Sequence, residues 1–500
     1  MLVAATSVAA APEPALIDVE TENLRIRLSA REGSLVGLEA CYPSCGGNPG
    51  VRTRSVVFAA SGDAESGIAA WGGDRDLPRS GAPPASFEHR RDTVDGEEIV
   101  EFQSVPLADG ARLKIRYSIP GAGYRFRIRV ALEAREPDAL QIANAPRFIP
   151  PPLPGFAASF ARVRAVRIDS QGEAELEPGE TVAPPANLSP APWFGIRNRF
   201  WALLVHPDSG SSVARIEQRG ENLPRLEIVG EGSMADRQNR EYVLYAGPVS
   251  AESLRETSPA LDSMLYAGLW EWLRALCFAL AWLLELLHGW IGNYGVAILA
   301  LALAVKVLMW PLTALAEHWH RQVNRIQSTL QPWIEDIKAR SSGEEQSEQI
   351  LALYREHGVH PLYALKSLAG FLIQIPVFIA VFAMLSEHFQ LSAVPFLWIA
   401  DLTRPDAFSP LPVRFPFFGE HFNLLPLLMT LITILSSLWY RDPSLSEPLL
   451  RRQRIRLYWM AALFFVLFYT FPAGMVLYWT TSNLLHFLKE QCKPLLQSAL

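Results

Sequence analysis

Gly292-Asn293-Tyr294-Gly295, followed by VAILALALAVKVLMWPLT over residues 296–313, is the stretch that decides how this chain is built. It supplies about one bilayer's thickness of apolar residues. A single charge, Lys306, lies well inside it. Lysine at that depth costs roughly 2.5–3.5 kcal/mol on insertion scales, so such a residue normally faces a polar interior and has a task there. The other reading is a side chain that snorkels to the headgroups, because Lys306 lies nearer one end of the run.

Further apolar runs follow over 368–385, 424–439, 457–471 and 475–488, the last two hinged at Pro472-Ala473-Gly474. With 293–313 they make five expected transmembrane spans. Between the first two runs, residues 314–358 read as a helical hairpin turning at Ser341-Ser342-Gly343, with Pro332 kinking or restarting its first arm. That hairpin carries Arg321, Arg325, Lys338, Arg340 and Arg355. The loop after residue 439 carries Arg441, Arg451, Arg452, Arg454 and Arg456, whereas the loop over 387–422 has only Arg404 and Arg414. By the positive-inside rule the hairpin, the arginine-rich loop and the C-terminus are cytoplasmic, and the loop around Arg404 lies outside. This alternation requires that 261–291 not cross. Trp270, Trp272, Trp282 and Trp290, with Glu271, Arg274 and Glu285, suit an amphipathic helix lying in the interface.

Upstream, residues 15–260 read as all-β. In 112–119 and 124–132, joined by Pro120-Gly121-Ala122-Gly123, one face carries Leu113, Ile115, Tyr117, Tyr124, Phe126, Ile128 and Val130 toward a core. The other carries Arg112, Lys114, Arg116, Arg125, Arg127 and Arg129. That basic stripe either meets lipid headgroups or an acidic partner, or is a solvated face neutralised by neighbouring acids. Trp193-Phe194-Gly195 with Arg197, Phe200 and Trp201 reads either as a binding ridge or as core. Cys41 and Cys45 are close enough for a disulfide in an oxidising compartment, while Cys277 and Cys492 read as free thiols. Residues 1–14 hold a short apolar run and small residues without a basic start, a residual or truncated signal or anchor segment.

Composition agrees with a soluble part joined to a membrane part: 50% hydrophobic residues and a formal charge of -6. That charge argues against nucleic acid as a substrate. No metal, nucleotide or nucleophile motif occurs, so no enzyme activity and no cofactor are expected.

The motifs of the second half resemble the YidC/Oxa-type membrane protein insertases. The opening stretch is similar to that family's second transmembrane helix: GN-aromatic-G, an apolar run, one cation, then aromatic-PLT. Leu330-Gln331-Pro332, Leu353-Tyr354, Val359-His360-Pro361-Leu362, Leu372-Ile373-Gln374-Ile375-Pro376-Val377-Phe378, Phe471-Pro472-Ala473-Gly474-Met475-Val476-Leu477-Tyr478 and Ser482-Asn483-Leu484 follow in family order. Lys306 stands where arginine is usual, His360 where asparagine is usual, and 363–370 is longer and poor in glycine.

The resemblance implies a periplasmic β-supersandwich at 15–260, then an insertase core at 292–500 in the inner membrane. It implies insertion of nascent membrane proteins into lipid, alone or beside the Sec translocon, with contacts to ribosome and signal recognition receptor. The expected client groove is lined by Lys306, Gln374, Thr430, Thr433, Ser436, Thr480, Thr481 and Asn483, with Met475 and Trp479 as its apolar slide. Two readings compete: a transporter or channel, and an anchored carbohydrate-binding, mutarotase-like protein.

Overall fold

The computed structural model describes residues 16–47, 53–59, 68–72, 87–106, 111–133, 140–144, 148–153, 162–169, 172–182, 192–207, 211–218, 224–231, 239–359, 369–416, 418–439 and 447–497. The segment 1–14 and the His360-Pro361-Leu362 motif lie outside the described residues. The chain divides into two units, essentially residues 1–268 and 269–500.

The first unit is built on two large antiparallel sheets. One runs, in spatial order, Leu16–Glu20, Leu24–Ser29, Leu35–Tyr42, Ile68–Gly72, Leu140–Asn144, Pro224–Glu231, Ser211–Gln218 and Thr181–Val182, with Arg54–Ala59 also pairing on Leu35–Tyr42. The other runs Gly172–Leu176, Arg164–Asp169, Trp193–Arg197, Trp201–Pro207, Asn239–Pro248, Arg125–Glu133, Arg112–Pro120, Glu97–Ser104 and Phe87–Val94. Alternation along each strand sends one set of side chains inward. Ile68, Ile142, Leu226 and Ile228 of the first sheet meet Ile196, Leu203 and Val205 of the second around one apolar space. The expected hairpin forms with Ile115 opposite Val130 and Tyr117 opposite Ile128, and its inward residues are buried.

Its basic face is largely neutralised. Lys114 pairs with Glu133, Arg116 with Glu101, Arg127 with Glu97 and Arg129 with Glu241. Trp193–Arg197, Phe200 and Trp201 are buried, so this cluster is core rather than a binding ridge. Arg197 is among the most deeply buried side chains, joined to Glu173 at 2.6 Å and to the Met264 carbonyl at 3.1 Å. Cys41 and Cys45 are disulfide-bonded. A short helix, α1 (Ala251–Thr257), closes the unit; Ser250 caps it by accepting from the Ser253 amide.

The second unit is helical: α2 (Glu271–Ile291), α3 (Tyr294–Arg340), α4 (Gly343–Glu356), α5 (Ala369–Glu387), α6 (Leu424–Trp439), α7 (Glu447–Phe468) and α8 (Ala473–Gln497). Among the described residues, α2 and α3 are long and apolar enough to cross a membrane, and α5 and α6 hold shorter apolar stretches. The helices overrun the apolar runs. α3 continues through Pro311 and Pro332 without restarting, α7 begins ahead of its four arginines, and α8 runs past Lys489. Charge ends an apolar run, but Arg, Lys and Glu are good helix formers and do not end a helix. Leu303, Val307, Leu308, Trp310 and Leu312 of α3 and Trp459, Leu463 and Val466 of α7 are exposed. Large apolar side chains exposed along two helices in this way suit lipid rather than water. The end of α3 and α4 form the hairpin, packed through Leu330, Ile334 and Leu353.

Candidate functional site

The site is organised from one end, where the two glycine motifs have visible causes. Gly292 adopts a left-handed conformation (φ 73°) and ends α2, its N–H donating to the His288 carbonyl at 2.7 Å. Asn293 caps α3, its side chain accepting from the Val296 amide at 3.1 Å. Tyr294 stacks on His288 at 3.6 Å and donates to Glu285, which also meets His388 Nε2 at 2.6 Å. Gly295 lies against the Phe396 ring so closely that a Cβ there would be 2.0 Å from a ring carbon.

The Pro-Ala-Gly motif behaves in the same way. The Ala473 and Gly474 amides donate to the carbonyls of Arg404 (2.7 Å) and Leu402 (2.8 Å), and a Cβ on Gly474 would stand 3.1 Å from the Leu402 oxygen. Asp406 caps α6 by accepting from the Leu424 and Leu425 amides at 2.7 and 3.0 Å, and it also takes the Trp398 indole N–H at 3.1 Å. Asn423 donates to the Tyr469 carbonyl at 2.7 Å. The segment 388–423 therefore ties down the starts of α3, α6 and α8 and the end of α7. Phe389, Leu391, Ile399 and Leu402 are buried beneath it, and this end of the bundle is closed.

Away from the closed end, α8 packs against both α3 and α6. Lys306 is half-buried on α3, roughly 16 Å along the helix from Gly295 at 1.5 Å per residue. Among the described residues it has no anionic partner. Asn483 donates to the Thr433 hydroxyl at 3.1 Å, joining α8 to α6. Thr430, Thr433, Thr480 and Thr481 donate to the carbonyls one turn earlier at 2.7, 2.9, 2.7 and 2.7 Å, which satisfies their hydroxyls within the helix and leaves an acceptor lone pair on each. Ser436 is half-buried; its neighbour Ser437 is the buried one, bonded to the Thr433 carbonyl.

Gln374 is half-buried on α5, one turn before Phe378, which meets Trp479 edge-on at 4.9 Å. Trp479 is further boxed by Phe464 and Phe468 of α7. Met475 is buried, so it offers no free apolar face. The structure thus joins Thr433 to Asn483 and places Gln374 one turn from the Phe378 that meets Trp479, with no direct bond from Lys306 to any of them among the described residues.

Three titratable residues on α3 and α8, Glu317, His486 and Lys489, were not among the expected lining. Lys489 Nζ lies 2.8 Å from Glu317 Oε1, bridging α8 to α3. His486 and Lys489 both lie within electrostatic reach of Lys306. The available signal was spacing: Glu317 follows Lys306 by about three helical turns, on the same face.

The sequence profile of the 60Kd inner membrane protein family matches residues 286–493. Curated relatives named membrane protein insertase YidC include that of Cupriavidus taiwanensis, 31% identical over 59% of this chain and 48% of that protein, and that of Cellvibrio japonicus, 34% identical over 59% and 49%. The aligned part spans about half the length of these relatives. A crystal structure of an active YidC insertase with its first transmembrane domain resolved covers 95% of this chain and 92% of its own at 18% identity, with a TM-score of 0.35. Over residues 286–493, where two glycine-dependent helix starts and the half-buried Lys306 fall, the chain is similar to the 60Kd inner membrane protein family, to which the YidC insertases belong.

Proposed function

We propose that this chain is a membrane protein insertase that passes client transmembrane segments into lipid through a wet groove carrying the Lys306 charge. The observation that carries this reading is Lys306 itself: a half-buried cation without an anionic partner among the described residues, inside a family-matched bundle whose one end is closed. An insertase makes and breaks no covalent bond. Its task is to lower the cost of moving polar residues through hydrocarbon, several kcal/mol for each unsatisfied group. A fixed cation attracts acidic or polar ends of a client. Gln374, Thr430, Thr433, Ser436, Thr480, Thr481 and Asn483 keep the path hydrated, and the aromatic side around Trp479 leads toward lipid.

In this reading the spans are 293–313, 368–385, 424–439, 457–471 and 475–488. The β domain at 15–260 and the loop at 388–423 lie in the periplasm, and the hairpin at 314–358 and the C-terminus in the cytoplasm, as the distribution of arginines requires. The helix α2 lies in the interface, consistent with exposed Trp270, Trp272, Trp282 and Trp290. Clients are nascent membrane proteins; the hairpin is the part offered to ribosome or signal recognition receptor, and work beside the Sec translocon fits the same topology. Burial of Trp193 to Trp201 weakens the carbohydrate-binding alternative, since the most aromatic cluster of the β domain is not available to a ligand.

The test is complementation of an insertase-depleted bacterium by this chain, with and without residues 15–260. Rescue by both forms is expected. Loss of rescue on removal of the β domain, while the membrane region still accumulates, would favour a role residing in that domain.

A further inference from the structure

The segment between α5 and α6 closes one end of the bundle, yet it also carries large apolar side chains on its outside. Ser409–Phe415 and Gly419–Phe422 form a two-stranded β-hairpin, with Ser409 opposite Phe422 and Phe415 opposite Gly419. Its base is fixed to the bundle: Phe418 meets the Tyr469 ring edge-on at 4.8 Å, and the Ala407 amide donates to the Asn423 side chain at 2.9 Å. Beyond that base, Val413 and Phe415 are 63% and 50% exposed. Leu397 is 75% exposed and adjoins Trp398, whose ring meets half-exposed Phe408 edge-on at 6.1 Å. An isolated two-stranded hairpin is marginal in water, so one that leaves valine and phenylalanine uncovered calls for a cover.

The chemistry of the segment selects that cover. Pro410 and Pro412 lack the N–H groups that pairing with another chain would use, which blunts the strand against a protein partner. Arg414 lies 3.8 Å from Glu420 and Arg404 3.4 Å from Asp401, so the surface offers an anionic partner no net positive charge. The level of the segment relative to lipid follows from α2. His388 Nε2 lies 2.6 Å from Glu285 of that helix, whose four exposed tryptophans place it in the interface in the reading above.

We propose that the β-hairpin, with Leu397 and Phe408, seats in the headgroup–acyl boundary of the outer lipid leaflet as a second interfacial anchor, held by apolar insertion rather than by charge. This rests on the topology of the insertase reading and adds to it: α2 and this segment, joined through Glu285 and His388, together fix the depth of the closed end.

The test places a nitrobenzoxadiazole label on Val413→Cys in the full chain, with Cys492→Ser, in liposomes of phosphatidylcholine alone. Lipids spin-labelled high on the acyl chain quench a label seated at the boundary. Matched labels on Leu463→Cys, exposed on α7, and on Arg90→Cys, exposed in the β domain, mark lipid and water. Quenching at residue 413 is expected to reach at least about half that at residue 463 and to persist at about 1 M salt, where charges are screened within about 3 Å. Phe415→Ser, which removes a transfer preference of about tenfold or more, lowers the quenching severalfold, and Phe415→Leu retains it. Quenching that needs anionic lipid, disappears in salt or is unchanged by Phe415→Ser overturns apolar insertion. If residue 413 is as unquenched as residue 90 while residue 463 is quenched, the anchor is overturned and the membrane topology stands; label-to-label quenching between chains in that case assigns the face to a second copy. Absence of quenching at residue 463 as well overturns both.

Discussion

Gly295→Ala places one methyl group where the Phe396 ring already is. The added Cβ would lie 2.0, 2.1 and 2.6 Å from three ring carbons, against a normal carbon contact of about 3.5–4.0 Å, so the ring must retreat by more than an ångström. It has little room to do so, because Phe396 is held to Ile399 by two reciprocal backbone bonds of 2.9 Å. Overpacking of this kind costs about 1–3 kcal/mol. For a unit of this size each kcal/mol lowers the midpoint by about 2–4 °C, which gives a drop of roughly 4–8 °C for a cost near 2 kcal/mol. The assay reads the membrane unit alone through Cys277, which is buried on α2 with its thiol 3.6 Å from the Ala380 carbonyl. In a Cys492→Ser background, with Cys41 and Cys45 joined, Cys277 is the thiol that becomes reactive on heating. Phe396→Ala in the same chain is expected to recover at least half the loss from Gly295→Ala. A midpoint unchanged by Gly295→Ala, or a double variant no better than the sum of its parts, would refute the argument that Gly295 is glycine because of Phe396.

Other outcomes follow from named contacts. Arg197→Met leaves the buried Glu173, among the described residues, with Arg164 at 2.7 Å, and is expected to destabilise the β domain by about 3 kcal/mol, the low end for a broken buried pair; protease resistance in urea measures it, and an unchanged midpoint contradicts it. Asp406→Ala removes the acceptor for two α6 amides and the Trp398 indole, which is expected to cost about 1–2 kcal/mol and to speed trypsin cleavage at Arg414. Burial pushes the phenols of Tyr117, Tyr124 and Tyr245 well up, and that of Tyr242 to about 12. With the folded values raised above an unfolded value near 10, β-domain stability should be intact below about pH 10 and fall as pH rises above it. Phenolate absorbance should therefore rise together with loss of circular dichroism, and ionisation of these tyrosines in a still-folded domain would contradict the assignment.

Much of the β domain was legible because the period of two is local: the alternation of 112–119 and 124–132 predicts the hairpin and its inward face, and both are found. The fate of its outward arginines was not local. Glu97, Glu101 and Glu241, which neutralise three of them, come from strands that the sequence does not place beside them. Lys306 was legible because one charge in an apolar run is conspicuous. Glu317, His486 and Lys489 were not, because each lies at the polar edge of a run. Their meaning depends on α8 packing beside α3, a long-range fact. Helix bounds were misjudged for a related reason: hydropathy marks where lipid could stop, whereas α7 already runs through its four arginines and α8 continues past Lys489, since charged side chains do not end a helix.

The most direct test of the central claim compares the native chain with Lys306→Arg and Lys306→Ala in an insertase-depleted bacterium at equal membrane levels. A working charged groove predicts rescue by the native and arginine forms and failure of the alanine form. Full rescue by Lys306→Ala would show that insertion proceeds without the charge, and would contradict a groove that works through Lys306.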